Sequence, residues 1–281
     1  MKASMKKRIV FGAAMIVLIA GLLVLDWHLE ARSVLGLRAV PLAVILMPVL
    51  AVAFVELAGL ASAAGAGVLT VSGSLGAMAL AGLPFWWQYT RQPLDGFSAL
   101  AVLGLLSLPI FLEQMILYRI ADAMRRVSMT LLAVVYLGAG FAVMMAIRLK
   151  MGVGALVLFL AVVKSADIAA YFVGSAVGRH KLIPWLSPGK SWEGLAAALA
   201  AGAIVSVFVA MALRMDLGTG RSVVLGVVLA AAGQVGDLCE SLLKRSAGAK
   251  DSGALVPEFG GALDILDSLL LSAPLAYLLL N

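Results

Sequence analysis

The sequence predicts an all-α, polytopic membrane protein of about nine transmembrane helices. Three observations carry that prediction. Of 281 residues, 63% are hydrophobic and only 13% are charged, about half the charged share of a soluble domain. Mean hydropathy is +1.08. The apolar residues gather in nine stretches, most close to the ~20 residues a helix needs to cross a bilayer. Together these exclude a soluble globular domain, a disordered chain and a coiled coil. No polar stretch is long enough to be a soluble domain.

The expected spans are 9–25, 39–61, 66–87, 97–118, 127–147, 153–177, 194–213, 222–239 and 262–280. The first follows Lys2, Lys6, Lys7 and Arg8, as a signal peptide would. No small-residue cleavage site follows it, so it reads as an uncleaved first helix. The third span is the weakest, diluted by Gly65, Gly67, Gly73 and Gly76. Ser72 and Gly76, four apart, would let helices approach closely there. Residues 1–150 are expected to form an N-terminal scaffold of about five helices. Residues 151–281 are expected to form a catalytic region of about four helices and two cytoplasmic loops.

Loop lysines and arginines orient the chain. With the N-terminus inside, thirteen lie on the cytoplasmic side: the four at the start, Arg119, Arg125, Arg126, Arg179, Lys181, Lys190, Lys244, Arg245 and Lys250. Seven lie outside: Arg32, Arg38, Arg91, Arg148, Lys150, Arg214 and Arg221. Residues 178–193 and 240–261, the two loops richest in polar chemistry, then share the cytoplasmic side. The net charge of +6 fits basic cytoplasmic loops. No Lys/Arg run with interleaved aromatics points to nucleic acid. A single cysteine, Cys239, excludes an internal disulfide and a cysteine zinc site, and His28 and His180 are too few for a histidine metal cluster. Any metal must sit on carboxylates, which suits magnesium or calcium.

Ionisable groups inside a membrane need a partner or a role. Asp237 and Glu240 end the eighth span, three apart and therefore on one helix face. Asp264 and Asp267 open the ninth with the same spacing. Two acidic pairs on helices joined by one loop can converge on a divalent ion; helix capping is the bland alternative for Asp264 and Asp267. The loop between them, Lys244-Arg245-Ser246-Ala247-Gly248-Ala249-Lys250-Asp251-Ser252-Gly253, suits a polyphosphate or, more plainly, anionic lipid head groups. Gly189-Lys190-Ser191 invites a P-loop comparison. It fails, since no strand is expected before it and Pro184 replaces the first glycine. What remains is Ser187, Lys190 and Ser191 just before a helix, where backbone N–H groups favour anions or where the serines simply cap. Lys164 and Asp167 read as an intramembrane ion pair or as part of a site. His180 reads as a solvated loop residue, Glu56 and Glu113 as helix-end residues. Trp86, Trp87, Trp185 and Trp192 read as interfacial anchors.

These motifs resemble the phosphatidate cytidylyltransferases, also called CDP-diacylglycerol synthases. The resemblance rests on Gly236-Asp237, Ser241-Leu242-Leu243-Lys244-Arg245, Lys250-Asp251-Ser252-Gly253, Gly260-Gly261 and Asp264-x-x-Asp267. It extends to Asp167-x-x-Ala170-Tyr171-x-x-Gly174, Gly178-Arg179 and Ser187-Pro188-Gly189-Lys190-Ser191-x-Glu193-Gly194, so it covers residues 167–267. Two positions depart from it: Phe259 stands where the family has histidine, and Ile265 where it has arginine. The resemblance implies transfer of a cytidylyl group from CTP to phosphatidate, with magnesium, in an integral protein of the bacterial inner membrane. It implies Asp237, Asp264 and Asp267 as metal ligands, with Asp237, Asp264, Lys244, Lys250 and Asp251 catalytic. Ser187, Lys190, Ser191, Arg245, Asp167 and Glu193 would bind substrate. A homodimer is also implied. The rival readings are a related CTP-dependent lipid enzyme (a polyprenol kinase or an ether-lipid cytidylyltransferase) and a transporter with buried acids.

Overall fold

A computed structural model describes residues 2–31, 38–90, 96–254 and 260–281. Each of the nine expected spans coincides with helix. In order these are α1 (Lys2–Ala31), α2 (Val40–Ala63), α3 (Thr70–Thr90), α4 (Gly96–Glu113), α5 (Ala123–Ala133) continued by α6 (Gly140–Met151), α7 (Val153–Val177), α8 (Trp192–Ala212), α9 (Thr219–Ser246) and α10 (Ala262–Leu280). A π turn, Gln114–Tyr118, extends α4, and another, Val134–Ala139, joins α5 to α6. Among the described residues seven helices are long and apolar enough to cross a membrane. The glycine-diluted α3 is not one of them, and neither is α1.

The chain forms two compact units, Met1–Leu149 with Ser246–Ile265, and Lys150–Arg245 with Leu266–Asn281. In the first unit Gly73 of the weak third span and Gly138, which faces that span, serve packing. A Cβ on Gly73 would collide with Phe54 and Thr130, and one on Gly138 would reach 3.0 Å from the Ala77 carbonyl oxygen. Backbone ends are closed by side chains from other helices. Leu69 N donates to Thr130 Oγ1 at 2.9 Å, and Ser72 N donates to Glu113 Oε2 at 2.7 Å. Glu113, the last residue of α4, thereby caps the start of α3, where the helix dipole favours an anion. Arg148, wholly buried, ties α6 to α1 through Asp26 and, at 2.7 Å, through Glu30.

In the second unit, α7, α8 and α9 meet through small residues. Ala166, Ala198 and Ala230 form an almost solvent-free seam. Gly202 and Gly226 face each other so closely that a Cβ on either would strike the other's backbone carbonyl. Gly236 does the same for α9 and α10, since its Cβ would lie 2.6 Å from the Asp267 carbonyl oxygen. Close approach through glycine is how apolar helices gain contact area where lipid supplies no hydrophobic drive.

Residues 178–193 differ from the expected plain loop. They contain an antiparallel ribbon of β1 (Lys181–Ile183) and β2 (Ser187–Ser191), paired Lys181 to Ser191 and Ile183 to Ser187. Trp192 N donates to the His180 carbonyl at 2.9 Å and Leu186 N to the Ile183 carbonyl at 3.1 Å, which closes the ribbon at both ends. A strand therefore does hold Gly189-Lys190-Ser191, although Pro184 still denies it the P-loop pattern. A two-strand ribbon this short has too little hydrophobic alternation to be visible in sequence.

Candidate functional site

The ribbon is anchored by glycine and serine. Ser191 is the N-cap of α8, its Oγ accepting from Gly194 N at 3.1 Å. Gly174, Gly178 and Gly194 crowd around that hydroxyl; a Cβ on Gly178 would sit 2.6 Å from it. The capped, glycine-lined junction of α7 and α8 fixes where β2 runs and hence where Lys190 points.

Lys190 leads into a continuous polar chain. Its Nζ lies 2.9 Å from Asp237 Oδ2 and donates to Gln234 Oε1 at 2.9 Å. Gln234 Nε2 donates to Asp167 Oδ1 at 3.0 Å. Asp167 Oδ2 accepts from Ser268 Oγ at 2.8 Å, and that hydroxyl accepts from Lys164 Nζ at 2.9 Å. Lys164 also pairs directly with Asp167 at 3.4 Å. Ser241 Oγ donates to the other oxygen of Asp237 at 3.3 Å. Four elements, α7, β2, α9 and α10, each contribute, and every carboxylate in the chain touches a donor. A satisfied network of this kind holds its members rigidly in a low-dielectric setting.

Asp267 lies against this chain. It is buried, within electrostatic reach of Asp237, Asp167 and Lys164, and accepts from the Ser268 backbone N–H. Asp167, Asp237 and Asp267 thus offer oxygen donors of the type a hard divalent ion prefers. The donor chemistry fits magnesium. In this arrangement Lys164 and Lys190 engage two of the three acids, and among the described residues no three acids are set out as a metal cage.

The remaining expected residues fall elsewhere. Lys244, almost buried, pairs at 2.5 Å with the fully buried Glu240. Arg245 Nε donates to the Leu186 carbonyl, tying the end of α9 to the ribbon. Glu193 faces His180 Nδ1 at 2.7 Å and accepts from the His180 backbone N–H, while Ser187 starts β2 half-buried. Exposed His180 is thus a solvated residue with a carboxylate partner. In the first unit, Lys250 and Asp251 are exposed. Asp264 accepts from Ser252 N at 2.9 Å, Ser252 Oγ at 2.8 Å and Gly261 N at 2.7 Å. That last bond is the back half of a capping box. Phe259 lies outside the described residues.

Comparison with known proteins now bears on the chain as a whole. Residues 6–281 match the model of the cytidylyltransferase family. The chain belongs to the cytidylyltransferase family. It is 33% identical over 195 residues to a phosphatidate cytidylyltransferase of Bacillus subtilis, covering 69% of this chain and 72% of that protein. It is 46% identical over 127 residues to a phosphatidate cytidylyltransferase of Brucella suis, covering 45% of this chain and 47% of that protein. It is 37% identical over 150 residues to one of Staphylococcus haemolyticus, covering 53% and 57%. In the Brucella alignment the chain spans about half the length of the curated relative.

Within this cytidylyltransferase chain, sequence reasoning missed Gln234, Ser268 and Glu56. Gln234 precedes Asp237 by three residues and so lies on the same helix face. Ser268 follows Asp267 directly. Both carried the usable signal of a polar side chain in an apolar helix. Glu56 was expected near a helix end, but it lies inside α2 and bonds the first turn of α10.

Proposed function

We propose that this chain transfers a cytidylyl group from CTP to phosphatidate, giving CDP-diacylglycerol and pyrophosphate, at the cytoplasmic face of a bacterial inner membrane. The observation that carries the reading is the Asp237–Lys190–Gln234–Asp167–Lys164 chain inside an otherwise apolar unit, in a member of the cytidylyltransferase family whose relatives are named phosphatidate cytidylyltransferase.

An oxygen of the lipid phosphate attacks the α-phosphorus of CTP. The bond from that phosphorus to the β-phosphate oxygen breaks, and pyrophosphate leaves with the electron pair. No covalent enzyme intermediate is needed, so positioning and charge neutralisation supply the rate. Lys190 is the first cation placed for this. It stands on a ribbon rather than in a helix, and its partners are the Asp237 carboxylate and the side-chain and backbone carbonyls of Gln234, which a phosphate oxygen can replace. Arg245, tied to the ribbon through the Leu186 carbonyl, is a second cation of the same unit for the pyrophosphate. Ser187 donates from the same ribbon. Lys244, held by buried Glu240, keeps the end of α9 in register. Asp237 and Asp267 would hold magnesium, with Asp167 beside them. When bound, that ion supplies positive charge to the phosphates. Lys164 and Gln234 hold Asp167 in place.

The test is product analysis. Purified protein with labelled CTP, magnesium and phosphatidate is expected to yield labelled CDP-diacylglycerol and unlabelled pyrophosphate. Release of CDP with a phosphorylated lipid would mark a kinase instead, and the absence of either product would overturn the reading.

A further inference from the structure

Glu56 is a carboxylate inside a transmembrane helix, in the half of the chain that the proposed chemistry does not use. Its surroundings are specific. Oε1 accepts from Ala262 N at 3.0 Å, and Oε2 accepts from Leu263 N at 2.9 Å. Ser252 Oγ lies 3.1 Å from Glu56 Oε2 and 2.8 Å from Asp264 Oδ2, so one hydroxyl proton serves two acids. Asp264 closes the same turn by accepting from Gly261 N. The two carboxylates between them take three successive backbone N–H groups, 261 to 263. Those are donors that a helix start otherwise leaves unpaired. The positive end of the helix dipole offsets the repulsion between the two acids.

The glycines around them are there to admit Glu56. A Cβ on Gly253 would sit 2.5 Å from Glu56 Oε1, and one on Gly261 would collide with Oε2. Gly260 has φ +91°, and its Cβ would strike the Asp264 carboxylate. Gly261 is thus explained by a carboxylate that comes from a helix about 200 residues earlier, and Gly260 by its φ and by Asp264.

From this we infer that Glu56 is a positioning residue for cytidylyl transfer: it holds Ser252 and the first turn of α10, with Asp264, in one fixed geometry. The inference rests on the function proposed above. It gives the N-terminal helices a duty, which is to carry the clamp that sets Asp264 and the end of the basic loop.

The experiment compares wild type, Glu56→Gln and Glu56→Ala in detergent, with kinetics, thermal unfolding and hydrogen exchange. Glutamine keeps one carbonyl acceptor and loses the other, so kcat is expected to fall about tenfold. Alanine removes both, and a misplacement of the turn is expected to cost on the order of a hundredfold in kcat. KM for CTP stays within about twofold in both, while amides 252–264 exchange faster than in wild type without substrate. A merely structural role would instead lower the melting temperature and the active fraction, with no graded rescue of kcat by glutamine and no exchange change confined to that segment. Wild-type kcat and exchange in Glu56→Ala overturn the inference. A wild-type protein that forms no CDP-diacylglycerol overturns the function instead, and the exchange data still decide whether Glu56 clamps the turn.

Discussion

Two of the polar knots among the described residues are tied differently. In the first unit, Glu56 and Asp264 are satisfied by backbone N–H groups and one serine. In the second, Asp167 and Asp237 are satisfied by lysines, a glutamine and two serines. Backbone donors are fixed by the helix they start, so a carboxylate bonded to several of them is held in one place. Lysine is a flexible point charge whose donors rotate, so a carboxylate paired with it can exchange that partner for a ligand. The difference separates a knot that sets geometry from a knot suited to bind anions and cations.

The sharpest way to break this comparison is at Asp237. Asp237→Asn is expected to lower kcat on the order of 10²–10³-fold with little change in melting temperature, measured with phosphatidate and CTP. A loss of folding instead would move Asp237 to the structural side. Next is Asp264→Asn. If Asp264 acts mainly through the turn it caps, the amide still accepts from Gly261 N, and the loss in kcat stays nearer tenfold. A loss as deep as that of Asp237→Asn would make the two acids equals at the metal, and the contrast would fail. Lys190→Met is expected to raise KM for CTP about tenfold, as one charge-assisted contact is worth roughly 1.5–3 kcal/mol, with kcat changed less. A rise in KM for the lipid alone would reassign Lys190 to the phosphatidate phosphate. The smallest effect belongs to Ser191→Ala, which removes the α8 cap and costs about 1 kcal/mol, read as a lower melting temperature.

Much of the site was legible because it is written in rare residues. In a chain so apolar, Asp167, Asp237, Asp264, Asp267 and Lys190 stand out, and their order and spacing carry the family resemblance. The two acidic pairs were legible as neighbours on helix faces because three-residue spacing means one face. Their division of labour was not. Asp267 leans on the lysine-bearing knot, whereas Asp264 closes a capping box with Gly261. Asp264 makes the capping contact of the bland reading, and periodicity alone had no means of separating it from its neighbour. The β ribbon escaped for a different reason: its strands are three and five residues long, and close on backbone bonds that any sequence can make.

What the amino-acid order determined by itself is the solvent this protein folds in. Stretches near the ~20-residue bilayer requirement, with charges between them, leave the backbone no option but helix, because every N–H and C=O must be bonded within its own segment. Tertiary structure alone decided which charge meets which. Glu56 reaches the amides of Ala262 and Leu263, and Lys164 reaches Ser268, across 206 and 104 residues of chain respectively. Pairing at such separation depends on how helices cross, and that is set by glycines and alanines whose meaning lies in the room they leave, which no local pattern records.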